Sequence, residues 1–336
     1  MSQLKTRILI ISDTHGKRPH ETDASTDDEL SQSQNYFHQK TPTGFRYPLP
    51  KADVALHCGD LTYRSTPEEF EATLSMLRAI PAPLKLFIPG NHDLALDPNL
   101  QAADEDDDWT TRRFDKAERA EMRALIFDMI HHAEVDGVKI LFEGTHTFRL
   151  ENGARFTIYA SPQTPSFGDW AFQYEEHYDF QIPKNVDVAM THGPPRGVLD
   201  FSGMGGVHAG CRHLLDAVAG ARPQIHCFGH IHEGWGAYRA RWDAESRIDE
   251  NKSRSVATLE EYRWRRDDDE DVAAEKRRRV REASGKRGIE VDLADGENAL
   301  VKGQETLFVN AAIMSMMYKP VQMPFIVDIN LPKDEQ

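Results

Sequence analysis

Carboxylates, imidazoles and one carboxamide recur along the chain in short clusters: Asp13-Thr14-His15, Gly59-Asp60, Gly90-Asn91-His92-Asp93, and His192 followed by Gly229-His230-Ile231-His232. Oxygen and nitrogen donors without thiolates suit Mn, Fe, Zn or similar divalent ions rather than a cysteine-rich structural zinc. Two such ions at one edge would clamp a phosphate and share a hydroxide whose pKa they lower towards neutrality. The expected chemistry is hydrolysis of phosphate esters.

Taken singly, most of the clusters are weak. Asp13 and His15 alternate at a strand end, so both can face one ion, yet Asp-x-His also arises by chance. A glycine before Asp60 permits the tight turn that projects a carboxylate over a sheet edge. Asn91-His92-Asp93 follows an apolar run into polar groups that no packing explains, and Thr191-His192-Gly193 repeats that pattern. The pair His230 and His232, between glycines after another apolar run, is the strongest signal. Their joint order and placement decide for metal.

That placement depends on strands. Short apolar or β-branched runs at 7–12, 54–57, 85–88, 138–142, 155–160, 186–191, 224–228, 306–309 and 324–329 predict strands. Patterns at 67–80, with Pro67 in the first turn, and at 207–219 predict helices. Alternating strands and helices give an α/β fold with largely parallel sheets, whose function gathers at the carboxyl ends of the strands. The clusters sit at those ends.

The chain has 336 residues and a formal charge of −15, which argues against a nucleic-acid polymer as partner and leaves small phosphorylated substrates open. No apolar run spans a membrane, and the first one ends in Asp13 rather than a cleavage site, so the expected location is cytoplasmic. Cys58, Cys211 and Cys227 fit a reducing compartment, the first and last as small buried hydrophobes. The expected organisation is a single domain over 1–336, interrupted at about 17–49, 98–128 and 239–302. Segment 17–49 is polar and leaves the edge just after His15; it is expected either to cover part of the substrate mouth or to run away from it. His20 and His38 within it read as surface histidines. Segment 98–128 opens with the acidic run 104–108 and becomes helix-like from Thr110. In 239–302, 33 of 64 residues are charged, so this stretch is expected to bury no core and to be part solvated helix, part disordered, with a protein partner as its alternative role. Lys276-Arg277-Arg278-Arg279 reads as a solvated face, with a nuclear import signal as the alternative.

With these residues in view, the sequence resembles the calcineurin-like metallophosphoesterase superfamily, whose signature runs D-x-H, GD, GNH[DE], H and GHxH. Stretches from Ser161-Pro162 to Trp170-Ala171-Phe172, 191–195 and 228–236 resemble its branch of metallophosphoesterase-domain-containing (MPPED-type) proteins. The resemblance implies an α/β/β/α sandwich of two mixed sheets flanked by helices, with long charged insertions. It also implies two divalent metal ions as cofactors. Asp13, His15 and His232 would hold one, Asn91, His192 and His230 the other, and Asp60 would bridge them. His92 would face the substrate as the catalytic residue. Some members of the branch lack one histidine of the last motif; here both are present. Protein phosphatases of the superfamily extend the second motif to GD-x-x-D-R, but Tyr63 stands where that Asp would fall, leaving open what orients His92. Arg64 remains as a residue that could contact a substrate phosphate. The leading expectation is a phosphodiesterase for small, cyclic-nucleotide-like substrates. A phosphomonoesterase or protein phosphatase, and a scaffold that binds nucleotide or protein with little turnover, are the alternatives.

Overall fold

The computed structural model describes residues 2–21, 44–102, 115–203, 205–263, 265 and 267–335. Two mixed sheets face each other. The first, of six strands, has the order β15 (Ile289–Asp292), β17 (Phe325–Pro332), β1 (Gln3–Ile11), β2 (Val54–His57), β3 (Leu84–Phe87) and β4 (Val138–Ile140). The second, of seven, runs β14 (Arg254–Thr258), β13 (Gly236–Arg241), β16 (Glu305–Asn310), β12 (Ile225–Phe228), β9 (Val188–Thr191), β6 (Arg155–Ser161) and β5 (Gly144–Arg149). Two short ribbons, β7 (Thr164–Pro165) with β8 (Gln173–Tyr174) and β10 (Phe201–Ser202) with β11 (Val207–His208), lie outside them.

Alternation along the strands builds the layers. On β1, Ile8 and Ile10 point into the core between the sheets, where they meet Ile158, Val188 and Val309, while Leu9 and Ile11 point outward. The helices Pro67–Ala79 and Lys116–Ala133 cover that outer face through Phe70, Leu74, Leu77, Ile126 and Ile130. On the second sheet, Tyr159, Phe228 and Phe308 face outward against Leu214 and Val218 of the helix Arg212–Ala221. The result is the expected α/β/β/α sandwich. Each fully buried Leu, Ile, Val or Phe contributes roughly 1.5–3 kcal/mol, so three such layers provide most of the stabilisation.

The parallel pairs β1–β2, β2–β3, β6–β9, β9–β12 and β12–β16 bring their carboxyl ends to one edge. The nine expected strands all form, with ends shifted by no more than four residues.

Two expectations are overturned. The helix predicted from residue 207 starts at Arg212, because Val207 and His208 pair with Phe201 and Ser202 and the Cys211 sulfur caps the helix. Residues 239–302, expected to bury no core, supply half of β13, all of β14 and β15, and the helix Glu270–Lys286. Ala273, Val280 and Ala283 of that helix join Ile289, Val291 and Leu293 in the core between the sheets. Charge dominates the composition of this stretch, but its few apolar residues fall on one face.

The other segments divide similarly. Residues 44–49 return to the fold, and Phe45 and Leu49 are buried on the outer face of the first sheet. Residues 22–43, with His38 and any cover over the mouth, lie outside the described residues, as does the acidic run 104–108. His20 is exposed and bridges Arg46. The helix Lys116–Ala133 begins at a capping box made by Asp115 and Glu118.

Candidate metal centre

The loops after β1, β2, β3, β9 and β12 place all seven expected ligands at one edge. His232 Nε2 lies 3.3 Å from Asp13 Oδ1 and 3.4 Å from His15 Nε2. Asp60 faces both ways: its Oδ2 lies 3.6 Å from His15 Nε2 and its Oδ1 3.3 Å from His192 Nε2. On the second side, Asn91 Oδ1 lies 2.8 Å from both His192 Nε2 and His230 Nδ1. Asp13, His15 and His232 thus form one donor set, and Asp60, His192 and His230 another. His92 groups with His15 and Asp60, beside the first set.

Backbone carbonyls aim the imidazoles. His15 Nδ1 donates to Thr62 O at 2.9 Å, His192 Nδ1 to Cys58 O at 2.9 Å and His232 Nδ1 to Ser315 O at 3.2 Å. A carbonyl can only accept, so in each neutral ring the hydrogen sits on Nδ1 and the Nε2 lone pair points inward. His92 is held in the same way, Nδ1 donating to Tyr63 O at 2.9 Å. That contact orients His92 where the expected Asp is missing. Thr62, Cys58, Tyr63 and Ser315 carry no sequence signal for this role, since any residue has a carbonyl.

The loops are built around close approach and strain. Asp13, His15, Asp60 and His230 all adopt positive φ, between 46° and 65°. Such conformations are uncommon outside glycine and cluster at functional sites. A methyl group on Gly229 would overlap the Asp13 carboxylate and the Ser12 hydroxyl; one on Gly90 would overlap the Asp60 backbone nitrogen and carboxylate. Asp93 ties two loops together, accepting from Leu61 N, Thr62 N, Thr62 Oγ1 and Gly90 N at 2.7–3.1 Å.

Asp13 and Asp60 are buried, at 0% and 2% exposure, and among the described residues their charged partners are imidazoles alone. Burial drives His15 down to about 3 and His230 to about 4, which keeps their lone pairs free. Burial also opposes charge on His192 and His232, but Asp60 and Asp13 outweigh it, taking His192 to about 9 and raising His232. Against the same desolvation, the histidines hold Asp60 well below the usual carboxylate range. Two buried carboxylates, inward imidazole lone pairs and an amide oxygen form a donor set that fits divalent cations.

Aromatic rings surround His92. Tyr63 stacks on it at 5.4 Å and 21°, and Trp170 lies at 4.2 Å and 33°. Tyr318 stands edge-on to His15 at 5.0 Å and to His232 at 5.3 Å. The sequence did not single out Tyr318; its loop is fastened by Ser315, the residue that orients His232. Arg64 is exposed at the rim, its guanidinium 5.8 Å from the Tyr63 ring centre, without a carboxylate partner among the described residues. Lys276 to Arg279, by contrast, are each paired with Asp or Glu side chains of the same region, so the basic run is neutralised.

A family profile described as calcineurin-like phosphoesterase matches residues 6–234, a span that holds every one of these donors. The chain belongs to the calcineurin-like phosphoesterase family. It is similar to metallophosphoesterase domain-containing protein 1 of Homo sapiens, 30% identical over 199 residues that cover 56% of each chain. It is also 31% identical to UPF0046 protein T07D4.2 of Caenorhabditis elegans, over 56% of this chain and 48% of that one. A protein named probable rhamnogalacturonate lyase C, from Emericella nidulans, is 30% identical over 70% of this chain but only 18% of its own length. The chain thus spans about half the length of the first two relatives and under a fifth of the third. As a calcineurin-like phosphoesterase it retains each position of the five-part signature. No helix among the described residues is long and apolar enough to cross a membrane.

Proposed function

We propose that this member of the family is a metal-dependent phosphodiesterase acting on small, cyclic-nucleotide-like esters. Asp13, His15 and His232 would hold one divalent ion, Asn91, His192 and His230 a second, and Asp60 would serve both. The single observation that carries the reading is the two-way placement of Asp60, one oxygen towards each set. Bound there, such ions acidify water and withdraw charge from phosphoryl oxygens.

The chain's own residues supply the rest. His92 Nδ1 is committed to Tyr63 O, so Nε2 is the atom turned towards substrate. As an imidazolium it would pass its Nε2 proton to the leaving oxygen. The water oxygen bonds to phosphorus and loses a proton to solvent. The ester P–O bond breaks, its electron pair stays on the leaving oxygen with the proton from His92, and His92 is reprotonated from solvent. Arg64 would meet an anionic oxygen at the rim. The rings of Tyr63 and Tyr318, each 39% exposed, suit a flat apolar group beside the phosphate. A scaffold without turnover is the weaker alternative, because such a site would be expected to shed donors and the sequence keeps all seven of these residues.

Purified protein supplied with Mn should cleave bis(para-nitrophenyl) phosphate, and faster than para-nitrophenyl phosphate. Asp60→Asn should lower that rate by about a hundredfold or more. A folded, metal-loaded sample that cleaves neither ester contradicts the proposal, and a preference for the monoester contradicts its diester part.

A further inference from the structure

The stretch from Ser161 to Phe172 has no role in the chemistry above, yet it is bound directly to the His92 turn. Ala171 N donates to Asn91 O at 3.0 Å, and Phe172 N donates to Asp97 Oδ2 at 2.6 Å, so the stretch grips the chain on both sides of His92. Ala171 and Phe172 are themselves buried on the outer face of the first sheet. Phe172 holds a positive φ of 53°, a strain that persists only where surroundings enforce it. Between these anchors and the solvent sits Trp170, with its ring 4.2 Å from that of His92.

We infer that Trp170 is a positioning residue: with the Tyr63 carbonyl, it holds the His92 ring in the orientation that protonates the leaving oxygen. One hydrogen bond from Nδ1 to a carbonyl sets a direction but leaves the ring free to swing about it. The indole, tilted 33° to the imidazole, and the Tyr63 ring, at 21°, restrict that swing. A ring held by packing and one carbonyl replaces a ring held by a carboxylate. Misplacing a proton donor by about 1 Å can cost about a hundredfold, so such restraint has catalytic value.

This inference rests on the phosphoesterase reading, and the experiment separates the two. Turnover is measured for wild type, Trp170→Ala, Trp170→Phe, His92→Ala and the Trp170→Ala/His92→Ala pair. Each is assayed on a diester that releases para-nitrophenol and on one that releases an alkyl alcohol. Trp170→Ala should lower kcat about tenfold or more for the alkyl ester, which needs a proton, and under about threefold for the nitrophenyl ester. Trp170→Phe should restore most of the loss. In the His92→Ala background, removing Trp170 should change kcat by less than about twofold, since it acts through a ring no longer present. Losses that multiply in the double variant, or equal losses for both esters, overturn the inference. A change confined to KM also overturns it, because Trp170 would then be touching substrate. Crystal structures of wild type and Trp170→Ala give a readout independent of turnover: the His92 ring should leave its place against Tyr63 O, and an unmoved ring overturns the inference. Should Trp170→Ala not fold, Trp170→Leu carries the same comparisons. An inactive wild type would sink the phosphoesterase reading, while the ring position would still decide the restraint.

Discussion

Asp93 takes both the backbone N–H and the hydroxyl of Thr62, at 2.9 and 2.7 Å, and so locks the loop carrying Asp60 to the loop carrying Asn91 and His92. It also accepts from Leu61 N and Gly90 N. Burial and the nearby Asp60 charge push its carboxyl up to about 7, and these donors oppose that rise. Asp93→Asn would face an amide group towards donors. It should destabilise the protein by roughly 2–4 kcal/mol in urea unfolding and weaken metal binding. Unchanged values for both would show that the loops hold without this tie.

Gly229 has a different role, because the Asp13 carboxylate and the Ser12 hydroxyl occupy the space of any side chain there. Gly229→Ala should displace Asp13 and His230 and cut metal affinity by about tenfold or more while the sandwich stays folded. Isothermal titration with Mn and circular dichroism would measure the two effects. Wild-type affinity in the variant would mean that the loop can yield.

Two buried histidines outside the donor set should govern acid stability. Burial alone drives His226 down to about 3, and burial brings His57 to about 4 against the pull of Asp13 and Asp60. Among the described residues, each has one ring nitrogen, Nδ1, without a hydrogen-bond partner. In the unfolded chain a histidine titrates near about 6.5. As pH falls below that value, the unfolded chain binds protons that the folded one refuses, so stability falls. The loss should reach about 2 kcal/mol per histidine between about pH 6.5 and pH 5. Urea unfolding at the two values measures it, and His226→Gln should remove about half. Equal sensitivity in the variant would rule out His226 as a source.

His192 behaves with the opposite sign. Asp60 and Asp13 overcome its burial and take it to about 9, so without metal it holds a proton at neutral pH. In the metal-free protein that pairing contributes stability below about pH 6.5 and loses it as pH rises through about 9. A cation must displace the proton. Titration calorimetry in buffers of different ionisation enthalpy should show about one proton released per chain at about pH 7, with affinity rising towards about pH 9. Binding without release would contradict this.

Much of the fold and the donor set is legible in the sequence, because buried strands in the layers are apolar on both faces and the donors break that run at the strand ends. The Ile8 to Ile11 run ahead of Asp13 shows both signals. What stays hidden follows physical rules as well. The carbonyls of Thr62, Cys58, Tyr63 and Ser315 orient imidazoles through atoms every residue has. Trp170 and Tyr318 reach His92 and His15 only after distant loops meet. In residues 239–302, Ala273, Val280 and Ala283 share one helix face, but small side chains among many charges give a faint periodic signal, and β15 is just Ile289-Glu290-Val291-Asp292.

The central claim is that two cations share the Asp60 carboxylate. Metal content after Mn loading, with anomalous scattering from crystals of the same sample, tests it most directly. The account predicts two ions per chain, one beside His15 and His232 and one beside His192 and His230, with both depleted in Asp60→Asn. One ion in wild type, or two retained in Asp60→Asn, would contradict it.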